Sequence, residues 1–147
     1  MTLTRLPLAE IGRLSELTPT PDPDPWVDEA ESFLGAELAE FVRHYRDDLS
    51  IYVIEDGGAV VAAGVTYPDP RFHAVRIGSI VVDHLSCRRG LGCEVLQGLE
   101  TMAITAGDVI CWLVHPSNQA MVACSRTVSP RPDEASMADG YVLFVAP

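Results

Sequence analysis

Residues 50–83 contain three runs of β-branched and other apolar residues that are separated only by short turns. The first turn is Asp56-Gly57-Gly58, whose residue types favour a tight hairpin, and the second is the stretch PDPRFH. Strands joined by turns this short lie beside each other and run antiparallel. The pattern therefore predicts a three-stranded antiparallel meander, and any fold proposed for this chain has to contain it.

Apolar residues at helical spacing occur on both sides of the meander. Residues 7–17 and the stretch from Trp26 to Tyr45 predict two helices with a Pro-rich loop between them. After the meander, the same spacing predicts a helix from Leu91 to near Gly107. The run VICWLV predicts a buried strand, HPSNQAMVACSRTV a short helix and YVLFVA a terminal strand. The order helix, helix, three strands, helix, strand, helix, strand predicts an α+β fold, a mixed α/β sandwich around one sheet.

The composition limits the size and the class of the protein. The 147 residues predict a single domain over residues 1–147, and 48% hydrophobic residues are enough to close its core. A net charge of −11 disfavours nucleic acid as a partner, because duplex binding needs a cationic surface. No apolar run reaches the roughly 20 residues that span a bilayer. The first residues also lack the apolar core of a signal peptide, so we expect no membrane contact and a cytoplasmic location.

The four cysteines favour packing over metal or redox chemistry. Cys87, Cys93, Cys111 and Cys124 have neither the spacing of a zinc site nor a matching histidine cluster. We therefore expect most of them to be small core residues, with no metal site and no redox pair.

The stretch CRRGLGCEVLQ, residues 87–97, places two arginines and a Gly-x-Gly turn between a predicted strand and a predicted helix. Gly90 and Gly92 allow close approach to the backbone, and the free N–H groups of a helix N-terminus bind anions. Arg88 and Arg89 can add charge-assisted hydrogen bonds to a phosphate. A Walker loop is disfavoured because the chain has no lysine, and the glycine pattern is too short for a dinucleotide fingerprint. Taken alone, this segment leaves two interpretations open: a phosphate site, and an ordinary turn with solvated arginines.

Two motifs at the expected separation resemble those of the GNAT N-acetyltransferase superfamily. The segment VVDHLSCRRGLGCEVLQGLE is similar to its acetyl-CoA-binding pattern, Gln/Arg-x-x-Gly-x-Gly/Ala after a strand, with Cys87 to Gly92 in register. The segment VHPSNQAMVACSRTV resembles the strand and helix that follow, Val-x-Pro-x-Asn-x-x-Ala. The resemblance covers nearly the whole chain after residue 5. It implies a GNAT-like fold whose mostly antiparallel central sheet is splayed between the strands near 77–82 and 109–114 and is flanked by helices.

The resemblance also implies a cosubstrate, acetyl-CoA, and the residues that bind it. The pantetheine arm would enter the splayed opening like an added strand, and the N–H groups of residues 88–93 would hold the pyrophosphate. The implied cofactor-binding residues are Ile80, Val81, Val82, Arg88, Arg89, Gly90, Leu91, Gly92, Cys93 and Asn118. The implied reaction is direct attack on the thioester by a primary amine of a small molecule, an amino sugar or a peptide. Dimers are common in the family, so a homodimer is a further expectation.

Several catalytic positions of the family pattern are not matched. The first motif position is Cys87 instead of Gln or Arg, the acidic residue on the first strand of the opening is replaced by Gly78 and Ser79, and the tyrosine that protonates the departing thiolate is replaced by Ser125. Two catalytic candidates remain: Ser125, which could hydrogen-bond the sulfur, and His115, which ends the strand beside the acetyl group. Each also has a structural interpretation, Ser125 as a helix serine and His115 as a cap or surface residue.

Three functional hypotheses therefore stay open. The first is an N-acetyltransferase, the second is a non-catalytic or regulatory CoA-binding module, and the third is an interaction domain that retains only the fold. The acidic stretch PDPDPWVDEAE, residues 21–31, lies where the family builds its acceptor-side loop. Its carboxylates either attract a cationic amine or cap the helix that follows.

Overall fold

The computed structural model describes residues 2–17, 48–86 and 89–147, and for Ser79 it describes the backbone alone. The strands in these ranges are β1 (Leu3–Leu6), β2 (Ser50–Asp56), β3 (Ala59–Asp69), β4 (Ala74–Val82), β5 (Ile110–Val114), β6 (Asp133–Ser136) and β7 (Val142–Ala146). The helices are a 3₁₀ helix (Leu8–Glu16), a 3₁₀ turn (His84–Ser86), α1 (Leu91–Thr105) and α2 (Gln119–Ser125).

The described strands form one seven-stranded sheet in the order β1-β2-β3-β4-β5-β7-β6. Only β4 and β5 pair in parallel, and all other neighbours are antiparallel. The hairpin between β2 and β3 turns at Gly57 and Gly58, whose φ values of 61° and 84° are open to glycine at little cost. The predicted meander and the α+β fold are confirmed.

The two faces of the sheet carry separate apolar clusters. On the face that we call the α1 face, helix residues pack against inward strand residues; the cluster includes Leu91, Val95, Leu96, Leu99, Ile54, Ile77, Trp112 and Phe144. On the other side, which we call the opposite face, Leu14 of the 3₁₀ helix joins Ile51, Val53, Val65 and Tyr67. Because side chains alternate along a strand, this division assigns each strand residue to one face.

Three elements differ from the sequence prediction. Residues 8–16 form a 3₁₀ helix instead of an α-helix. Strands β1 and β6 were not predicted, since four residues are too few for a clear alternation, and all four residues of β6 are exposed. The predicted helix from Trp26 to Tyr45 and the acidic stretch 21–31 lie outside the described residues. No helix in the described ranges is long and apolar enough to cross a membrane.

The prediction about the cysteines was wrong for one pair. Cys93 in α1 and Cys124 in α2 form a disulfide, with their Cα atoms 5.6 Å apart, so the two helices are cross-linked. Cys111 is a buried free thiol, as expected for a core residue, and burial raises its pKa to about 11. Cys87 lies outside the described residues. Across the part of the chain that the structure describes, no group of three or more His, Cys, Asp or Glu side chains could hold a metal ion.

Candidate active site

The sheet opens between its two parallel strands. Strands β4 and β5 pair over only three positions, Val75 with Ile110, Arg76 with Cys111 and Ile77 with Trp112. Beyond these pairs β4 continues to Val82 and β5 to Val114, and the register gives no further pairing between the two strands. The splay predicted near 77–82 and 109–114 is therefore present, and along this stretch one edge of β4 has no neighbour among the described strands.

A β-bulge marks the closed end of the opening. Thr66 of β3 pairs with Ile77, and Val65 pairs with Ser79, so Gly78 is an extra residue in β4. A bulge bends its strand and increases the local twist, which turns the rest of β4 away from β5. Sequence reasoning missed the bulge, although an isolated glycine inside a β-branched run is a known sign of one.

Backbone groups along β4 alternate between β3 and the opening. The N–H of Asp83 donates to the carbonyl oxygen of Val61 at 2.9 Å, and Val81 lies two residues earlier in the same ladder. Hydrogen-bonded pairs recur every second residue in an antiparallel ladder, so Val81 bonds to β3 whereas Ile80 and Val82 direct their N–H and C=O groups into the opening. This corrects the predicted backbone contact of Val81, whose side chain is buried on the opposite face.

The first turn of α1 lies beside the open end of β4. A Cβ atom built on Gly92 would lie 3.7 Å from Cγ2 of Val82 and 3.6 Å from Cε of Met121 in α2. Both are ordinary contact distances. The backbone of Gly92 is therefore close to the end of β4 and to α2, at the mouth of the opening.

The N-terminus of α1 has no side-chain cap. Gly90 is its N-cap with a φ of 74°, and the helical hydrogen bond from Glu94 N–H to Gly90 O is 3.0 Å long. The N–H groups of Leu91, Gly92 and Cys93 precede that bond, so they have no acceptor within the helix. A turn of N–H groups at the positive end of a helix attracts anions, as the sequence predicted for this segment. The side chains of Leu91 and Cys93 are engaged elsewhere, in the core and in the disulfide.

Of the two adjacent arginines, the structure describes Arg89. Its Nη1 donates to Oδ2 of Asp56 at 3.2 Å, and both side chains are about half exposed. An exposed pair of this kind contributes about 0–1 kcal/mol. Arg88 lies outside the described residues, and its predicted contact stays a prediction.

Asn118 caps α2 with the oxygen of its side-chain amide. Its Oδ1 accepts a hydrogen bond from the N–H of Met121 at 3.2 Å, which satisfies an N-terminal donor of the helix. The amide nitrogen, a donor of two hydrogen bonds, has no partner within the described residues and can donate to a ligand. The predicted contact of Asn118 with the pantetheine arm is compatible with this arrangement.

His115 follows β5, and its ring is held by its neighbours. Nδ1 accepts from the N–H of Ser117 at 3.1 Å and lies 2.7 Å from Oγ of Ser117, while the ring packs edge-on against Tyr141. A neutral imidazole that accepts at Nδ1 carries its proton on Nε2, so it has no second lone pair with which to take a proton from an amine. The geometry favours the structural interpretation of His115, as part of the turn that precedes α2.

Ser125 is fully buried, and both sides of its hydroxyl are occupied. Oγ accepts from the indole Nε1 of Trp112 at 2.8 Å and donates to the carbonyl oxygen of Met121 at 2.7 Å. Its proton is directed at a backbone oxygen and not at the opening. This arrangement favours the structural interpretation of Ser125 as well.

A charged cluster that the sequence analysis did not single out lies on the opposite face near the closed end of the opening. It consists of Asp69, Arg71 and Arg76, with the ring of Tyr67 under the guanidinium of Arg76. Asp69 is almost fully buried, and hydrogen bonds from Arg71 hold its pKa at about 2. The sequence analysis missed this cluster because the run Pro-Asp-Pro-Arg indicated only a turn. Arg76 comes close to Asp69 only through the pairing of β3 with β4.

Comparisons with known proteins agree with this geometry. The chain resembles, at TM-scores of 0.69, 0.68 and 0.63, the ribosomal-protein-S18-alanine N-acetyltransferase from Escherichia coli, aminoglycoside 6′-acetyltransferase type Ii, and yncA from Salmonella typhimurium, which was solved with its cofactor acetyl-CoA. Sequence identities are 17%, 15% and 15%, over 98%, 99% and 99% of this chain and 90%, 96% and 91% of those chains, so these likenesses show a shared fold. No curated protein sequence matches significantly.

The sequence itself shows the family. A profile of the acetyltransferase (GNAT) family matches residues 12–126, which is well over half of the chain and includes the bulged strand, the first turn of α1 and α2. The chain therefore belongs to the GNAT acetyltransferase family of acyltransferase enzymes.

Proposed function

We propose that this protein is an acetyl-CoA-dependent N-acetyltransferase that acts on a primary amine of a small molecule, an amino sugar or a peptide. The observation that carries the proposal is the free edge of β4 beyond Gly78, which ends beside the uncapped N-terminus of α1. An extended arm with amide groups suits a strand edge, and a diphosphate suits a turn of N–H groups. Coenzyme A contains both, and the Salmonella typhimurium neighbour solved with acetyl-CoA supports the same cosubstrate.

The backbone groups available in the opening fit this cosubstrate. Ile80 and Val82 offer N–H and C=O groups two residues apart, which is the spacing at which an added strand pairs. We propose that these two residues bind the pantetheine amides and that Asn118 adds its amide nitrogen. The N–H groups of residues 91–93 and the guanidinium of Arg89 then bind the pyrophosphate, with Arg88 as the second predicted cation.

The glycine at position 92 supports the phosphate assignment. A Cβ there would meet Met121 and Val82 only at ordinary contact distance, so the protein's own packing does not require glycine. Glycine inside a helix costs about 0.5–1 kcal/mol relative to alanine. A bare backbone at this point is explained if a ligand approaches it closely, as a phosphate group does.

The chemistry is the attack of a neutral amine on an activated acyl group, which acetyl-CoA supplies as a thioester. An alkyl amine with a pKa near 10 has to lose a proton first. The hydroxyl of Ser125 is bonded to Trp112 and Met121, and Nδ1 of His115 accepts from Ser117, so neither is placed as a ready base. We infer that the proton leaves through water in the opening. General acid and base groups contribute about 10²- to 10⁴-fold each, so this protein should depend more on positioning than relatives that retain the tyrosine.

Isothermal titration of acetyl-CoA and CoA tests the proposal. We expect the wild-type protein to bind both ligands and the double variant Arg88→Ala, Arg89→Ala to bind them about tenfold or more weakly, because two charge-assisted contacts are lost. Arg71→Gln is the control, since it removes one positive charge at the opposite end of β4, where Arg71 bonds Asp69. Absence of binding by the wild-type protein would refute the proposal. Equal binding by the double variant would remove the arginines from the site.

A second candidate function is a CoA-binding module without turnover. It is favoured by one specific observation, that Oγ of Ser125 and Nδ1 of His115 are already hydrogen-bonded within the protein. Release of CoA thiol in the presence of a panel of primary amines separates the two functions. Cofactor binding with no amine-dependent thiol release would support the module and contradict the enzyme.

A further inference from the structure

We infer that Arg76 is a specificity-determining residue that binds a carboxylate on the acceptor, so that the preferred amines carry a carboxylate group as well. This inference rests on the proposed acetyl transfer and specifies the class of its acceptor. It is carried by the position of Arg76, by the contacts of Asp69 and by a buried donor atom without a partner.

Arg76 lies at the closed end of the opening. It pairs with Cys111 in the second of the three β4–β5 pairs, and the bulged Gly78 follows two residues later. At a rise of about 3.3 Å per residue, the two Cα atoms are within roughly 7 Å of each other. Since Ile77 buries its side chain on the α1 face, the alternation of the strand directs Arg76 to the opposite face.

The acceptor has to approach from the face that carries Arg76. Helices α1 and α2 both cover the α1 face, where Leu96 and Met121 contact the same cluster as Trp112. The N–H groups proposed to bind pyrophosphate belong to α1 and lie on that side too. Among the described elements, the 3₁₀ helix is the one that packs on the opposite face, so we place the approach of the amine on that face.

Asp69 does not need Arg76 as a counter-ion, because Arg71 already satisfies it. Nε and Nη2 of Arg71 donate to Oδ1 and Oδ2 of Asp69 at 3.2 and 2.9 Å, and the backbone N–H of Arg71 donates to Oδ1 at 3.0 Å. Arg76 contributes a single, longer bond, from Nη1 to Oδ2 at 3.3 Å. Among the described residues, two guanidinium groups thus surround one carboxylate in a strongly acidic protein.

One donor of Arg76 is buried and unsatisfied. Its Nε is inaccessible to solvent and has no hydrogen-bond partner within the described residues. The side chain is 17% exposed, compared with 66% for that of Arg71, and its guanidinium lies 5.9 Å from the ring centre of Tyr67. Buried N–H donors are nearly always paired in folded proteins, so a ligand that accepts from Nε would complete this site.

A carboxylate is the group that matches the remaining donors. With Nη1 bonded to Asp69, the remaining edge of the guanidinium is formed by Nε and Nη2, whose two N–H bonds are parallel, and a ligand reaches this edge when the atoms that cover Nε move aside. A planar carboxylate accepts both hydrogen bonds at once and carries a full negative charge. Neither a neutral amide nor an alcohol combines this geometry with that charge. Arg76 would hold this group while the amino end of the acceptor lies at the bulge.

Matched pairs of ω-amino carboxylates and their carboxamides test the inference. Suitable pairs are 4-aminobutanoate with 4-aminobutanamide and 5-aminopentanoate with 5-aminopentanamide, because the amine is remote from the group that changes. Two measurements are made on each pair. Binding to the CoA-saturated protein needs no turnover, and kcat and KM for acetyl transfer report the reaction.

We expect the wild-type protein to bind the carboxylates about tenfold or more tightly than the amides, with the difference in KM rather than kcat. Arg76→Gln should abolish this preference. Arg76→Lys keeps the charge but lacks the two parallel N–H donors, so it should retain part of the preference. Asp69→Asn frees Nη1 and removes a competing negative charge, so it should not lower carboxylate affinity. Arg13→Gln is the control, because Arg13 bonds Glu55 at the 3₁₀ helix and should leave the preference unchanged.

Equal binding, or no binding, of the two members of every pair by the wild-type protein overturns the inference, as does a preference that survives in Arg76→Gln. If Arg76→Gln does not fold, the inference is tested by the carboxylate preference of the wild-type protein and by that of Arg76→Lys. A carboxylate preference in binding without any acetyl transfer would instead refute the proposed enzymatic function and leave Arg76 as a carboxylate site.

Discussion

Ser125 and Trp112 form a buried hydrogen-bonded pair that joins α2 to β5. The indole N–H donates to Oγ of Ser125 at 2.8 Å, and the indole ring stacks on Phe144 with ring centres 5.7 Å apart. Indole nitrogens in protein cores need an acceptor, and the serine hydroxyl supplies it. Ser125, which the sequence resemblance places at the position of a tyrosine, accepts the hydrogen bond of a core tryptophan.

Ser125→Ala should therefore act on stability and hardly on catalysis. We expect the free energy of unfolding to fall by roughly 1–3 kcal/mol, because the indole N–H of Trp112 loses its acceptor in a buried site. Acetyl transfer should change by no more than a few-fold, since the hydroxyl proton is directed at Met121. Urea unfolding and steady-state kinetics measure the two effects.

The double variant Ser125→Ala, Trp112→Phe is the control for this experiment. It removes donor and acceptor together, so it should destabilise by less than the sum of the two single changes. A fall in kcat of about 10²-fold or more with unchanged stability would contradict the structural role and identify Ser125 as the proton donor.

At the scale of elements, helix α1 is tied at one place to α2 and at a second place to the segment that follows α2, and both helices contribute to the candidate site. The disulfide joins Cys93 to Cys124. Further along α1, Gln97 donates to the carbonyl oxygen of Ser129 and accepts from its N–H, both at 2.9 Å. These ties set the distance between the N–H groups of α1 and Asn118 at the start of α2.

Cys124→Ser should destabilise the protein only while the disulfide is able to form. The bond closes a loop over a sequence separation of 31, and its loss should lower the free energy of unfolding by about 2–4 kcal/mol without reductant. Denaturant midpoints with and without dithiothreitol measure this. In reductant, the wild type should unfold at the midpoint of the variant. Thiol titration should show that the bond is oxidised before dithiothreitol is added and cleaved afterwards. If the wild-type midpoint then stays the same with and without dithiothreitol, the prediction is contradicted.

At the scale of the whole molecule, Glu100 makes the stability of the fold sensitive to pH. It lies on α1 with no exposed surface, and neither carboxyl oxygen has a hydrogen-bond partner within the described residues. Burial raises its pKa from the ordinary value of 4.5 to about 6. The folded state therefore holds the proton more tightly than the unfolded chain does, and loss of the proton at higher pH destabilises the fold.

The contribution of Glu100 to stability is fully present below pH 4.5 and is lost as the pH rises through about 6. A rise in pKa of this size corresponds to roughly 2 kcal/mol. Urea unfolding between about pH 4 and pH 8 should show that Glu100→Gln lacks this decline. Glu94→Gln, on the exposed side of the same helix, should decline in parallel with the wild type. Parallel profiles for Glu100→Gln and the wild type would rule out the assignment.

The sequence by itself determined those parts that depend on local chemistry. Alternating β-branched residues around Asp56-Gly57-Gly58 predicted the meander, and apolar spacing after Leu91 predicted α1. Two motifs, one containing Gly90 and Gly92 and the other containing Asn118, indicated the family and the place of the opening. These features could be predicted because turn chemistry and side-chain periodicity depend on residues that are close together in the chain.

Only the tertiary structure decided which groups face the opening and which are occupied. The register of β4 on β3 turns Val81 away from the opening, and a shift by one residue would reverse that result. The pairing of Cys93 with Cys124 and the unsatisfied donor of Arg76 likewise depend on contacts between distant segments. No local pattern encodes such contacts, because they arise from the packing of elements on one another, so the proposed acceptor site became visible only in three dimensions.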